Sequence, residues 1–493
     1  MKDNTNTIFH PSSLLVKVIA PTLLFIICFV IRLIYLTAQD ICIDEPFSIY
    51  HAQGSFSDIV KYLKPTNNPP LFELILRVWI KLFGISAFSV RFLPMIFGSL
   101  AVIFIYKIGL RSFSFWVGVS AALLYSFSTH AIYYAHDCRV YTLFLLLSVV
   151  SVYYTSKIIS NNFTKRDLVL LCFINVLLVY SHYFGFFIWF VEFIGILLFS
   201  RKQWKSVFVL FVIALVFFLP QLFNLVNQFL FSAKGGTWMK EPTGMESIYN
   251  MFWLFSNMPV VAVFCLLLII GTVIQFFVVR KMELESNLLV KRFIYLCFFL
   301  PFVLMFLVSY KIPIYNGRYL FFILPFYYLS ISIMAESLFK NVKLKYALLA
   351  TTVVLFILTV QLNPSKKREA KAVVEFVKQI KKPGDIVIIC THEFLTNFAY
   401  YYNQNIFKII GEDEYTAIET KLRVENIYPV RKMDEIGNEI LSSAKRIIYV
   451  EVSADFSNPG NNVLTTLRSS FKEQEKKHFE QIFNVYTFEK NAN

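Results

Sequence analysis

Long apolar runs separated by short polar segments dominate the pattern of this 493-residue chain. Repeated runs of about 17 or more apolar residues, punctuated by Lys and Arg, are typical of helices that cross a membrane. The pattern predicts a polytopic α-helical membrane protein with about eleven transmembrane helices. These are residues 18–37, 92–106, 115–133, 140–156 and 319–339, and runs that end near residues 182, 200, 231, 280, 310 and 362.

One shorter segment, residues 71–83, is amphipathic. It carries Glu73, Arg77 and Lys81 at steps of four, which places the three charges on one face of a helix and apolar residues on the other. We expect this helix to lie in the membrane interface, with the three charges forming a structural salt-bridge face.

The pattern changes near residue 363, where apolar runs shorten and charges become frequent. An amphipathic helix followed by a turn and alternating strand and helix patterns predicts a small soluble α/β domain. The predicted elements are a helix over 367–380 and strands at 386–390, 446–452 and 482–488. We therefore expect two domains, a transmembrane domain over residues 1–362 and a soluble external domain over residues 363–493.

Charge and composition limit the classes of function. The chain is 57% hydrophobic and only 16% charged, which excludes an ordinary soluble protein. Its net charge of +15 comes from Lys and Arg at helix ends, so we expect no nucleic-acid partner. With the N-terminus in the cytoplasm, the basic clusters fall in cytoplasmic loops, as the positive-inside rule requires. This orientation, in a cell inner (plasma) membrane, makes the C-terminal domain periplasmic or external.

Two polar stretches could carry chemistry on that external face. The first contains Asp44 and Glu45, just after the first apolar run. Ionisable residues near membrane depth tend to be functional, although this pair could also mark a wet boundary. The second runs from Tyr133 to Tyr141 and places an acid two residues before an arginine, among aromatic residues. It could organise a phosphate and a sugar, or it could be an interfacial aromatic belt with capped helix ends.

The order of these motifs resembles a known family. An acidic pair follows the first helix, then comes the turn 67–70 with Asn68 and two prolines, then Asp137-x-Arg139-x-Tyr141, and finally Arg318-Tyr319 before a late helix. The arrangement resembles bacterial members of the family of dolichyl-phosphate-mannose protein mannosyltransferases and lipid A aminoarabinose transferases. These are polytopic C-type glycosyltransferases that use a polyprenyl-phosphate sugar. The resemblance covers residues 18–362, and the tail more weakly.

The resemblance implies a role for each matching residue. Asp44 would be the catalytic base on the acceptor, and Glu45 would position the acceptor or the base. Donor phosphate and sugar would be bound by Asp137, Arg139, Tyr141, Arg318 and Tyr319. Asn68, His136 and His182 would contact the acceptor or a metal, and a divalent metal at Asp44, Asp137 and His182 stays open. His136 and Cys138 depart from the more common Gln and Ala around the acid, so His136 is either a ligand or a hydrogen-bonding substitute.

The chemistry of such a reaction is consistent with these residue types. A lipid-phosphate sugar carries its own leaving group, so the enzyme needs a base for the nucleophile and cations for the departing phosphate. The resemblance implies transfer of a sugar from a polyprenyl-phosphate donor to a lipid, glycan or protein acceptor on the external (periplasmic) face, with inversion at the anomeric carbon. The alternatives are a flippase or transporter of lipid-linked sugars and a catalytically inactive scaffold.

Two further features do not decide between these alternatives. Glu192, inside a predicted membrane helix, would favour a transporter if it faced a midplane cavity, but we expect a buried hydrogen bond to a neighbouring helix. The loop over 231–249 could cover the site, bind the acceptor or be an ordinary solvated loop.

Overall fold

The computed structural model describes residues 13–64, 66, 68–234, 239–279, 288–364, 369–408, 410, 415–452, 460–480 and 483–490. After a π-helical turn at Leu15–Ile19, the first sixteen α-helices are α1 (Ala20–Leu33), α2 (Asp44–His51), α3 (Phe56–Leu63), α4 (Leu71–Phe83), α5 (Ala87–Ser112), α6 (Phe115–Ser126), α7 (Thr129–Ala135), α8 (Tyr141–Ile159), α9 (Lys165–Ser181), α10 (Gly185–Phe199), α11 (Trp204–Ala233), α12 (Met245–Phe255), α13 (Pro259–Val279), α14 (Leu288–Val308), α15 (Leu324–Ser337) and α16 (Val342–Thr359). Short 3₁₀ turns at Arg201–Gln203 and Phe321–Ile323 precede α11 and α15.

The C-terminal region mixes helices and strands. Its helices are α17 (Ala370–Ile380), α18 (Leu395–Tyr402), α19 (Gln404–Phe407), α20 (Thr416–Val424), α21 (Asn438–Ser443) and α22 (Asn462–Ser470). Its strands are β1 (Ile386–Cys390), β2 (Ile427–Pro429), β3 (Arg446–Val452), β4 (Phe471–Phe479) and β5 (Phe483–Lys490), and 3₁₀ turns lie at His392–Phe394 and Met433–Glu435.

The chain forms two compact units. The first comprises Met1–Leu36, Leu63–Phe72 and Arg91–Pro364, and the second comprises Thr37–Tyr62, Glu73–Val90 and Ser365–Asn493. The segment with the acidic pair therefore belongs to the same unit as the C-terminal region, whereas the predicted boundary at residues 362/363 grouped it with the membrane helices.

The first unit is a helical bundle around α15. Every residue of α15 from Leu324 to Ala335 is buried, as expected for a helix that is surrounded by others. It packs against α6, α14 and α16, and α6 also packs against α1. Glycines allow α5 and α6 to approach closely, because a Cβ on Gly109 would lie only 2.5 Å from the Cα of Gly118.

The predicted count of eleven membrane spans is not confirmed. By length and composition, six helices in the described part of the chain could cross a membrane: Leu15–Leu33, Ala87–Ser112, Tyr141–Ile159, Arg201–Ala233, Leu288–Val308 and Val342–Thr359. Two bent pairs, Phe115–Ser126 with Thr129–Ala135 (60°) and Met245–Phe255 with Pro259–Gln275 (104°), raise the number to eight. Two further apolar helices, Gly185–Phe199 and Phe321–Ser337, are shorter than the roughly 18 residues that span a bilayer.

The second unit is built on a mixed five-stranded sheet in the order β2-β1-β3-β5-β4. Strand β1 pairs in parallel with β2 and β3, and β5 pairs antiparallel with β3 and β4. All five residues of β1 are buried, as expected for a strand covered on both faces. At the edge, β4 has mostly exposed polar and charged residues, which discourage pairing with another chain. The small α/β domain predicted for the tail is thus present.

Candidate functional site

The acidic pair follows a strained backbone turn. Ile43, which precedes α2, has φ +58° and ψ −103°. A β-branched residue rarely adopts positive φ, and such strain persists only where the surroundings impose it. The strain places Asp44 and Glu45 in the first turn of α2, where backbone N–H groups stabilise negative charge.

Residues of the C-terminal region hold this turn in place. The Ile43 N–H donates to Asn397 Oδ1 at 2.6 Å, and Asn397 Nδ2 donates back to the Ile43 carbonyl at 3.4 Å. The Ile41 N–H donates to the Tyr401 hydroxyl at 2.6 Å, and the Lys371 N–H donates to Asp40 Oδ2 at 2.8 Å. Asn397 and Tyr401 both lie on α18, so one helix binds the backbone on both sides of Cys42.

The two carboxylates have different surroundings. Glu45 is 1% exposed, and its Oε2 accepts the Cys42 N–H at 3.3 Å, so this side chain braces the turn. Asp44 is half-buried. One turn further on, the Ser48 hydroxyl donates to Glu73 Oε1 at 2.8 Å, which ties α2 to α4. Glu45 thus supports the turn in this unit and Asp44 keeps an accessible surface, and a role of Glu45 in positioning the acceptor or the base stays a prediction.

In the first unit, the structure brings together five of the predicted donor-site and ligand residues. The Arg318 guanidinium lies 5.9 Å from the centre of the Tyr141 ring, a cation–π geometry. The rings of His182 and Tyr319 are 6.0 Å apart. The charge of Arg139 acts on His182, which places this arginine in the same cluster.

The imidazole of His182 is neutral. Burial and, to a lesser extent, the positive charge of Arg139 lower its pKa to about 3. His182 follows α9, outside the candidate spans; its Nδ1 accepts the Phe184 N–H at 3.1 Å, and its ring stacks on Phe144 at 5.0 Å. It can therefore offer Nε2–H as a donor while Arg139 supplies the charge.

The sequence analysis missed three residues that position Arg318. Asn316 Oδ1 accepts the Arg318 N–H at 3.0 Å, and the Asn316 carbonyl accepts the N–H of Tyr319 at 3.0 Å. The Gly317 carbonyl lies 3.2 Å from Nε2 of the buried His130. Asn-Gly before Arg-Tyr is a turn signal that could have been recognised, whereas the contact with His130 has no local signal.

The remaining predicted residues of the first unit make the following contacts. His136 Nε2 lies 2.7 Å from the Arg32 carbonyl, which joins the end of α7 to α1. This contact fits the hydrogen-bonding interpretation of His136. Asp137 is half-buried, and its carbonyl accepts the Arg139 N–H at 2.7 Å. Asn68 is half-buried in a turn that is closed by Thr66, and Asn67 lies outside the described residues.

The described residues do not fit a metal centre. No three His, Cys, Asp or Glu side chains among them are grouped so as to hold an ion. A cation at His182 would also be repelled by the neighbouring positive charge of Arg139. We therefore derive no step through a metal at Asp44, Asp137 and His182.

The prediction for Glu192 is confirmed. This carboxylate is fully buried in α10 and accepts hydrogen bonds from the Ser151 hydroxyl on α8 and from Asn175 Nδ2 on α9, the latter at 3.0 Å. Three helices therefore meet at one satisfied carboxylate. In the loop over 231–249, residues 235–238, which include Gly235, Gly236 and Trp238, lie outside the described residues.

The predicted site residues are divided between the units. Asp44 and Glu45 belong to the second unit. The first unit contains Asn68, His136, Asp137, Arg139, Tyr141, His182, Arg318 and Tyr319.

Comparison with known proteins points to one group. Residues 67–223 match the model of the dolichyl-phosphate-mannose-protein mannosyltransferase family. The structure is similar to ArnT from Cupriavidus metallidurans bound to undecaprenyl phosphate, with 11% identity and a TM-score of 0.56 over 94% of this chain and 97% of that chain. It is also similar to the Archaeoglobus fulgidus oligosaccharyltransferase in complex with Zn and sulfate, with 12% identity and a TM-score of 0.51 over 86% of this chain and 67% of that chain. No curated protein matches the sequence.

At these identities the two structures establish a shared fold, and the family match adds a sequence relationship over residues 67–223. The resemblance inferred from the motifs, to C-type membrane glycosyltransferases of the mannosyltransferase and aminoarabinose transferase type, is thereby confirmed. A bacterial source stays a prediction.

Proposed function

We propose that this chain, which resembles the C-type membrane glycosyltransferases, transfers a single sugar from a polyprenyl-phosphate carrier to an acceptor. The acceptor is a lipid such as lipid A, another glycan or a protein. The family match and the fold shared with a protein that binds undecaprenyl phosphate support a lipid-linked donor. The proposal places the reaction on the external face of an inner (plasma) membrane, with the N-terminus in the cytoplasm.

The proposed reaction is one inverting displacement. Asp44 accepts the proton of the acceptor hydroxyl or amine as that group attacks the anomeric carbon. The bond to the phosphate oxygen breaks, and the bond-pair electrons leave with the polyprenyl phosphate. Arg139 and Arg318 stabilise the charge of this phosphate, since guanidinium groups pair well with phosphate oxygens. Tyr141 and Tyr319 pack against the donor, and Asp137 binds its sugar hydroxyls.

The observation that carries the proposal is the conformation at Ile43. Strained backbone tends to occur at functional sites, and here it immediately precedes a half-buried carboxylate. The Ile43 N–H donates to Asn397 Oδ1 and the Ile41 N–H donates to the Tyr401 hydroxyl, and these two hydrogen bonds hold the strained turn. A residue that merely marked the end of a membrane helix would not need such a conformation.

The test compares cells with and without the protein by mass spectrometry of their lipids and surface glycans. Wild type and Asp44→Asn are then added back. We expect a lipid or glycan that lacks one sugar in the absence of the protein and is restored only by wild type. With purified protein, loss of a general base predicts a decrease in kcat of about 10²- to 10⁴-fold.

A matched control is Asp58→Asn, which removes a charge from the same polar segment. Asp58 accepts the Ser55 N–H at 2.8 Å at the start of α3 and has no part in the proposed reaction. We expect near-normal transfer in this control. Restoration of the glycan by Asp44→Asn at normal expression would refute the assignment of the base and favour the flippase or scaffold alternatives. Against a transporter, Glu192 is enclosed by hydrogen-bond donors.

A further inference from the structure

A cationic cavity lies at the end of α4 within the second unit. Its volume is about 240 Å³. Among the described residues that line it, three are positively charged, Arg77, Lys81 and Lys408, and none is acidic. Such a cavity favours an anionic ligand.

The two lysines are available to a ligand, whereas the Arg77 guanidinium also lies 5.2 Å from the centre of the Phe56 ring. Arg77 donates one N–H to the Gln53 carbonyl at 3.1 Å, but its buried Nε has no hydrogen-bond partner in the described part of the chain. Lys81 and Lys408 are exposed and form no ion pair with any described residue. The C-terminal end of α4 contributes a partial negative charge of about half a unit, which three full positive charges outweigh.

The same helix presents an apolar surface beside its charges. Val78 is 50% exposed, Leu82 is 70% exposed and Phe83 is 56% exposed. On a helix, Val78 and Leu82 form a stripe directly beside the stripe of Arg77 and Lys81. Helices with adjacent apolar and basic stripes lie at membrane surfaces and favour anionic lipids.

We infer that the cavity bounded by Arg77, Lys81 and Lys408 binds the phosphate of an anionic phospholipid headgroup. The exposed residues of α4 contact the acyl chains of the lipid while the three cations bind its phosphate. The site goes beyond the proposed sugar transfer and does not depend on it. It anchors the unit that carries Asp44 to the bilayer surface.

The test is a titration of the full-length protein in an uncharged detergent. Native mass spectrometry then measures the binding of dioctanoyl phosphatidylglycerol, dioctanoyl phosphatidylcholine and inorganic phosphate. We expect phosphatidylglycerol to bind more tightly than either of the other probes, since it alone combines a net negative charge with acyl chains. The double variant Lys81→Gln/Lys408→Gln is expected to bind it about 30-fold more weakly.

Two control variants distinguish charge from folding. Lys472→Gln removes an exposed lysine of β4 that does not line the cavity, and it should bind like wild type. Lys81→Arg/Lys408→Arg keeps the charges and should retain tight binding. Wild-type affinity in the Gln double variant, or equal affinities for the two lipids, would overturn the proposal. Inorganic phosphate that binds as tightly as phosphatidylglycerol would also overturn it, in favour of a soluble anion.

Discussion

The clamp between Asn397 and Ile43 gives the sharpest test of how the acidic turn is held. In Asn397→Ala the turn loses two backbone hydrogen bonds, one at 2.6 Å and one at 3.4 Å. At about 1 kcal/mol each, their loss lowers the free energy of local opening by about 2 kcal/mol. The strain at Ile43, of about 1–3 kcal/mol, already favours opening in the wild type, so it does not add to the difference.

Amide hydrogen exchange measures this local opening directly. A decrease of about 2 kcal/mol corresponds to about 30-fold faster exchange. Water that replaces the Asn397 side chain restores part of the lost hydrogen bonding. We therefore expect the Ile43 backbone amide to exchange about 10- to 30-fold faster. Mass spectrometry of a peptide spanning residues 38–50 resolves this change. If the proposed function is right, sugar transfer should fall as well, because Asp44 is then less well held.

A control on the same domain is Asn403→Ala. Asn403 Oδ1 accepts the Asn405 N–H at 2.9 Å at the start of α19 and does not contact the acidic turn. Exchange should become faster in residues 404–408 and remain unchanged in residues 38–50. Unchanged exchange at Ile43 in Asn397→Ala would show that the clamp does not hold the turn, and the argument from strain would fail.

Three further predictions concern the first unit. Glu192→Gln should change the free energy of unfolding by less than about 1 kcal/mol, whereas Glu192→Leu, which leaves two buried donors without their acceptor, should lower it by about 1–3 kcal/mol. Unfolding in detergent, followed by tryptophan fluorescence, measures both values, and equal losses in the two variants would contradict the prediction. In Gly317→Ala the new Cβ would lie 2.4 Å from the flexible end of Leu254, so we expect the free energy of unfolding to fall by about 1 kcal/mol. Displacement of Arg318 should also weaken donor binding, measured as a higher KM, and an unchanged KM would refute this positioning role. The pKa of His182 is about 3 in the folded state and near 6.5 in the unfolded state, so the unfolded state binds about one more proton between these pH values. The stability that this group contributes is therefore present above pH 6.5 and is lost as the pH falls towards 3. His182→Gln should flatten the pH dependence of the melting temperature between pH 7 and 5.

Local pattern was sufficient for the class of protein and for many of its elements. A long run of apolar residues is either buried in protein or exposed to lipid, whichever elements surround it in the fold, so the presence of membrane helices was predictable. The all-apolar β1 and the amphipathic α17 were predictable for the same reason, because a burial period of two or 3.6 residues is a property of one segment. The order of short motifs was enough to indicate the family.

The number of spans was less predictable. Composition alone does not show where a helix bends or stops. The break between α6 and α7 turns the chain by 60°, and the break between α12 and α13 turns it by 104°. In the sequence, each of these pairs is part of an apolar region, and the bend depends on how the helices pack. The predicted span that ends near residue 182 corresponds to α9, which begins with two basic residues, Lys165 and Arg166, and is not among the candidate spans of the described part of the chain.

Sequence alone therefore determined that this is a membrane-embedded helical protein with a small α/β tail and that Asp44, Arg139 and Arg318 are its chemical candidates. Only the tertiary structure decided that the turn before Asp44 is held by Asn397, 354 positions away along the chain. The physical reason is that a single hydrogen bond between distant segments leaves no periodic signal in either segment. The strain at Ile43 is invisible in sequence for the same reason, since contacts made elsewhere in the fold impose it.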